Sequence, residues 1–304
     1  MNSASTYQKT LSSLLVFLTL VMITLGGVVK NTGSSLACPD WPLCFGQVFP
    51  EMVGGVAIEH SHRLLGSLIG IVTLLLWGSY WSRRKDFSKI FRCLSFAVVL
   101  VIVQGVLGGV TVLLKISANI STLHLILSQI FLATTVVIYW MQKPSINQEA
   151  PVNLAKLITV IASLLLFQLA LGGAIRHYGY GPSCGLGWKN AIMCQDPISG
   201  ISTMWPSTWG AKLHLLHRAT GFFFFIFFIA GTIPLLKWAK ANSIKSLRIL
   251  VIIGHAVVTT QVLLGMKVIG TNIAPLGITL HLLFGAILWC VVISMWYRTR
   301  QQNF

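Results

Sequence analysis

Glu59-His60-Ser61-His62-Arg63 opens an apolar run that continues from Leu64 to Trp81. A carboxylate and imidazoles are costly in hydrocarbon, so their presence at the mouth of a membrane helix marks a buried site. Glu59 and His62 are three residues apart, and on a helix that spacing sets an acid one turn from whatever His62 binds. The stretch returns 155 residues later as His214-Leu215-Leu216-His217-Arg218, with a glycine following in each copy, Gly66 and then Gly221. His62 maps onto His217 and Arg63 onto Arg218, but Glu59 maps onto His214. One copy carries an acid beside the histidine and the other does not.

The chain is 55% hydrophobic and 9% charged, far below the roughly 25% charged of soluble domains, which makes it an integral membrane protein. Its acids are Asp40, Glu51, Glu59, Asp86, Glu149 and Asp196, and Glu59 alone stands at the edge of a predicted helix. The net charge of +16 comes from basic residues that fall mainly between hydrophobic spans, where the positive-inside rule accounts for them. Nucleic-acid binding is therefore discounted. The first apolar run reaches Val29, too long for a signal-peptide core, and no Arg-rich presequence precedes it, so a bacterial plasma membrane is the expected home.

About 20 apolar residues span the hydrocarbon layer, and eight runs qualify, near 11–30, 62–82, 92–114, 120–141, 155–176, 212–236, 247–268 and 276–297. Links rich in Lys and Arg (83–92, 143–156, 237–248) alternate with links poor in them, which places both termini in the cytoplasm. The two long loops, 31–61 and 177–211, then lie outside. They hold Cys38 with Cys44 and Cys184 with Cys194, and an oxidising compartment argues for a disulfide within each loop. Such bridges staple a loop or form a redox-active pair, and Cys38-Pro-Asp-Trp-Pro-Leu-Cys44 is only a weak signal for the second. Cys93 and Cys290 read as packing residues.

Other segments repeat as well. Leu25-Gly26-Gly27 with Lys30 corresponds to Leu171-Gly172-Gly173 with Arg176, Gln104 to Gln261, and Thr122-Leu123-His124-Leu125 to Thr279-Leu280-His281-Leu282. Four spans per half give both halves one orientation, a parallel repeat of two four-helix bundles covering residues 1–145 and 146–304. Each half places one histidine near the start of its second helix, His62 or His217, and one near the start of its fourth, His124 or His281. Two facing histidines in a four-helix bundle can hold a haem iron from both sides, so two haem sites are expected. Structural zinc would need four converging ligands and fits less well. His255 has no repeat partner and reads as a hydrogen-bonded packing residue, while His60 and His177 read as solvated loop-edge residues. Arg63 and Arg218 are candidate propionate contacts, with snorkelling to lipid headgroups as the plain alternative, which also covers Lys30 and Arg176.

These residues resemble the haem A synthase family, membrane enzymes that convert haem O to haem A. The likeness rests on Gly33-Ser34-Ser35-Leu36-Ala37-Cys38-Pro39-Asp40-Trp41-Pro42-Leu43-Cys44 with Gly46-Gln47 and Pro50, on Glu59-x-x-His62-Arg63-Leu64-Leu65-Gly66, and on the four in-register histidines. It implies a haem B cofactor between His217 and His281, a haem O substrate between His62 and His124, and oxidation of a porphyrin methyl to a formyl group through hydroxylated intermediates. Methyl oxidation needs proton delivery near the substrate edge, and only the half with Glu59 has a carboxylate to provide it. The implied partners are haem O, membrane lipid, an electron donor and, as the preceding step, a haem O synthase.

A bis-His b-type cytochrome that shuttles electrons, for example from quinone, would use every one of these features except Glu59 and the loop motif. A quinone-linked thiol oxidase would explain the cysteines and leave the histidines idle. A haem transporter is a further reading. Only a synthase changes the porphyrin.

Overall fold

A computed structural model describes residues 4–146 and 148–301; residues 1–3, 147 and 302–304, which the expected halves 1–145 and 146–304 include, lie outside the described residues. Among the described residues, eight helices are long and apolar enough to cross a membrane: α1 Thr6–Asn31, α2 Gly54–Ser79, α3 Ser88–Leu113, α4 Ala118–Met141, α5 Val152–His177, α6 Trp209–Ala241, α7 Lys245–Gly270 and α8 Pro275–Arg298. Helix is the form such runs must take, because it satisfies every backbone donor and acceptor within the segment. At the start of α1, Ser5 Oγ accepts from Gln8 N and Gln8 Oε1 accepts from Ser5 N, a reciprocal cap. Pro275 occupies the first turn of α8, where its missing N–H leaves no bond unmade.

Two helices run beyond their apolar stretches. Helix α2 starts at Gly54 and not near residue 62, and α6 extends from Trp209 to Ala241. Hydropathy marks where lipid begins, whereas the helix continues into the layer where loop atoms supply its polar partners. Glu59 and His60 consequently lie inside α2, not at its mouth. The expectation for His60 is corrected with it: the ring is 3% exposed, and its Nε2 lies 2.7 Å from the Val48 carbonyl.

The chain forms two compact units, the first comprising the described residues up to Glu149 with Arg300 and Gln301, the second Ala150–Thr299. In the first, α1 packs on α2 and α4, and α3 packs on the same two, a closed ring of four helices with α2 diagonal to α4. In the second, α5 and α7 each pack on α6 and α8, so α6 is diagonal to α8. Leu15, Leu76, Leu94, Leu132 and Ile138 are fully buried in the first ring, and Ile158, Ile161, Phe228, Leu235, Leu247 and Leu288 in the second. All lie towards the end away from the disulfide-bearing loop of their own unit. Outward side chains such as Phe96, Val99, Ile102, Phe222, Phe223 and Ile252 are apolar and exposed, as suits a lipid-facing surface. With lipid outside, close packing and not water exclusion holds each ring together.

The turns before α4 and α8 share one backbone pattern. Lys115 and Ile116 (φ 48° and 65°) lead into α4, and Asn272 and Ile273 (φ 54° and 62°) lead into α8. In each, the second residue's N–H reaches back five residues, Ile116 to Thr111 O and Ile273 to Val268 O, both at 2.8 Å. The left-handed conformation is unfavourable for a β-branched residue. It is retained at the entry to the fourth helix of each unit, the helix that bears His124 or His281.

Candidate functional site

His62 on α2 and His124 on α4 stand on diagonal helices of one ring, and His217 on α6 and His281 on α8 on diagonal helices of the other. All four are half-buried. The tightly packed core lies beyond them, nearer the opposite end of each ring.

Each imidazole rests against a glycine of a neighbouring helix. A Cβ added at Gly26 would stand 3.0 Å from His62 Nε2, and one at Gly172 would stand 3.0 Å from His217 Cε1. At Gly265 the distance to His281 Cε1 is 3.2 Å, and at Gly108 the distance to His124 Cε1 is 3.8 Å. The first two seats therefore admit no side chain without moving the ring. The glycines of Leu25-Gly26-Gly27 and Leu171-Gly172-Gly173 stand out as a repeat in sequence; their contact with the histidines explains why.

Glu59 is 4% exposed and ties the first outer loop to α2. Its Oε2 accepts from Cys38 N at 2.9 Å, and its Oε1 pairs with Arg63 Nη2 at 2.6 Å. Arg63 also donates from Nη1 to the Asp40 and Leu43 carbonyls and from Nη2 to the Cys38 carbonyl. A buried ion pair is tolerable only when its remaining polar atoms are satisfied in this way. The loop is closed by the Cys38–Cys44 disulfide, and Asp40 accepts from Gly46 N and Phe45 N, the Gly46 bond chiefly holding its carboxyl below the usual range. Cys38, Cys44 and His60 offer ligand atoms within 4.8 Å of one another, but both sulfurs are in the disulfide and no thiolate remains for a metal.

The second outer loop is built on the same plan with one omission. Cys184 and Cys194 are bridged, and Arg218 Nη1 donates to the Asn190 carbonyl at 2.6 Å and the Met193 carbonyl at 3.3 Å. His214 replaces the acid and is 6% exposed. Without a carboxylate beside it, Arg218 keeps Nε and Nη2 buried and without a hydrogen-bond partner. Asp196 organises this loop, accepting from the N–H groups of Ser199, Ser207 and Ile198, which hold its carboxyl far below the usual range. Each loop also lays a tryptophan on a glycine of its own ring, Trp41 on Gly109 and Trp188 on Gly270.

The remaining candidates fall away from these clusters. His255 Nε2 lies 2.7 Å from Thr232 Oγ1, a hydrogen-bonded packing contact. Cys93 and Cys290 are free and partly buried. Lys30 and Arg176 occupy the last turns of α1 and α5, where a cation complements the helix dipole. Sequence reasoning missed Gln168, which lies 3.0 Å from His217 Nδ1; its counterpart in the first half is Met22, so a search for repeated residues passes over it.

Known proteins are similar to this chain along most of its length. The COX15-CtaA model, described as cytochrome oxidase assembly protein, matches residues 9–54 and 52–293. The protein named heme A synthase from Bacillus pumilus is 26% identical over 280 residues, covering 88% of this chain and 86% of its own. The one so named from Halalkalibacterium halodurans is 26% identical over 298 residues, covering 92% and 94%. Over a shorter stretch of 124 residues, 39% of this chain and 41% of the relative, the heme A synthase of Alkalihalophilus pseudofirmus is 38% identical. With a family match that runs through both histidine-bearing rings, the chain belongs to the COX15-CtaA family of cytochrome oxidase assembly proteins.

Proposed function

We propose that this protein is a haem A synthase, oxidising a methyl substituent of haem O to a formyl group through hydroxylated intermediates. The observation that carries the reading is the recurrence of two diagonal imidazoles seated on glycines, with a carboxylate beside only one of the two pairs. The residues fit a haem in each ring: two imidazoles on diagonal helices that would ligate its iron, a glycine beside each, and in the second ring two buried guanidinium nitrogens that would meet an anion. His217 and His281 would hold haem B, and Arg218 would meet a propionate. His62 and His124 would hold haem O as substrate. Arg63 is a weaker propionate candidate than Arg218, because it must release Glu59 or a loop carbonyl to reach one.

Haem B, when bound, supplies one-electron redox chemistry. Glu59 supplies what an iron site alone lacks, a carboxylate one turn from His62 that can take or give a proton at Oε1 or Oε2 while the methyl group is oxidised. Its ion pair with Arg63 fixes its position. His214 leaves the second ring without that group, which suits a site that holds a haem and passes electrons. The charge pattern of the links supports a bacterial plasma membrane, with the disulfide loops outside and both termini cytoplasmic. The enzyme would act directly after a haem O synthase.

Glu59→Gln in cells that make haem O tests the assignment. The variant should retain bound haem and lose haem A production at least tenfold, measured by chromatography of extracted haems. Full haem A production would remove Glu59 from the mechanism. One observation favours the electron-shuttling alternative: the Glu59–Arg63–Cys38 cluster would clamp the loop equally well in a plain cytochrome. That alternative requires a porphyrin left unchanged by the wild-type protein.

A further inference from the structure

The second disulfide loop carries a hairpin that the haem reading does not use. Cys194–Gln195 pairs antiparallel with Ser202–Thr203. The turn between them closes with Asp196 N donating to the Ile201 carbonyl and Gly200 N to the Asp196 carbonyl, both at 2.9 Å. The Asp196 side chain accepts from Ile198 N, Ser199 N and Ser207 N, and Ile201 N donates to Ser199 Oγ at 3.4 Å. Pro197 has no N–H, so every backbone donor from Asp196 to Ile201 is satisfied inside the loop. Asp196 is also the only charged residue between Asn190 and Ala211, and it is buried. What the hairpin presents outward is Ile198, Ile201, Met204 and Trp205, between 67% and 81% exposed.

We infer that this hairpin is seated in the membrane interface, its apolar tip among the headgroups and upper acyl chains of the phospholipid that surrounds the second ring. A run of large apolar side chains on a loop marks a surface that is covered by something, and two observations make the cover lipid. The first is continuity with the lipid-facing side of α6. Trp209, Leu216, Phe223 and Ala230 are exposed and stand seven residues apart, close to two helical turns, so Trp209 heads the outward stripe of that helix. Trp205 folds back onto the same helix end, its ring centroid 5.4 Å from Lys212 Nζ. Tryptophan rings among headgroups with a lysine amine beside them are what the boundary of a membrane span selects. The second observation is the backbone of the turn: donors satisfied internally, and a carboxylate spent on them, are a requirement where water is scarce. The first disulfide loop is built differently, with Glu51 exposed between Phe49 and Met52. Seated in this way, the second loop sets the depth of the Asn190 and Met193 carbonyls to which Arg218 is bonded. The inference is independent of whether the rings hold haem.

The test places an environment-sensitive fluorophore on the tip of the full-length protein, reconstituted in nanodiscs of phosphatidylcholine and phosphatidylglycerol. Cys93→Ser and Cys290→Ser remove the free thiols, the disulfides stay oxidised, and Ile198→Cys or Met204→Cys supplies the one labelling site. Glu149→Cys, at an exposed position in the link between the two units, serves as the water-facing reference. At both tip positions the emission should be blue-shifted, nitroxide-bearing lipid should quench it, and iodide in the water should quench it severalfold less than at the reference. Iodide quenching equal to that of the reference would show a tip standing in water and overturn the inference. A label shielded from iodide but untouched by the nitroxide lipid would show that protein, a second copy or a partner chain, covers the tip, and would overturn it as well.

Discussion

A single methyl group is enough to probe the histidine seats. At Gly172 an added Cβ would stand 3.0 Å from His217 Cε1, so the ring must give by a few tenths of an ångström. At Gly108 the corresponding gap to His124 is 3.8 Å, an ordinary contact. Gly172→Ala should therefore lower the haem-to-protein ratio by more than half, and Gly108→Ala should leave it near the wild-type value, both measured by the pyridine haemochrome spectrum. Equal ratios in the two variants would show that the glycines do not set the ring positions. At this scale the sequence is readable where function repeats and opaque where it does not. His62, His124, His217 and His281 announce themselves by recurring in register. Gln168 and Thr220 correspond in register to Met22 and Leu65, and a repeat search discards such mismatches. His60 misleads for another reason: its neighbours in sequence are polar, but its burial comes from a loop carbonyl twelve residues away, at Val48.

Helix boundaries carry the next level of information. Eight apolar runs give eight helices because hydrocarbon leaves the backbone no other way to satisfy itself. The same rule loses its force once the chain enters the loop layer, and the first two turns of α2, from Gly54 to Ser61, are too polar to be read by hydropathy. Those turns bring Glu59 under the disulfide loop. The loop in turn hangs on Arg63, which binds three of its carbonyls as well as Glu59. Arg63→Ala leaves a buried carboxylate with only the Cys38 N–H, and loss of one partner of such a pair costs about 3–5 kcal/mol. The variant should lose thermal stability in detergent and be cut in the 32–53 segment by added protease much faster than wild type. A loop that stays protease-resistant without Arg63 would mean that the disulfide and Asp40 suffice to hold it. Asp196 in the second loop was unreadable in advance, since its partners are backbone N–H groups on both sides of a turn and no residue type identifies them.

Over the whole chain, two rings share a plan and differ in a few positions that point the same way. The first ring has a carboxylate one turn from its histidine, which would suit chemistry on an exchangeable substrate. The second has His214 in place of the acid, Gln168 beside the histidine and an arginine with buried donors to offer, which would suit a resident cofactor. The offsets alone point to halves 1–145 and 146–304, and the compact units are the described residues up to Glu149 with Arg300 and Gln301, and Ala150–Thr299. The placement of the packed cores was not legible in the sequence, because lipid-facing and core-facing residues are equally apolar in a membrane protein. That placement sets the histidines apart from the packed cores: the largest buried side chains lie towards the far end of each ring.

The central claim is the division of labour between the rings, and the most direct measurement is the haem content of three purified proteins from cells that make haem O. These are the wild type, the His62→Ala/His124→Ala double variant and the His217→Ala/His281→Ala double variant, each extracted and analysed by chromatography with mass detection. The account predicts haem B together with haem O, haem A or a hydroxylated intermediate in the wild type. It predicts haem B alone when the first pair is removed, and loss of haem B when the second pair is removed. Haem B as the wild type's sole haem, or haem B retained after loss of His217 and His281, would contradict it.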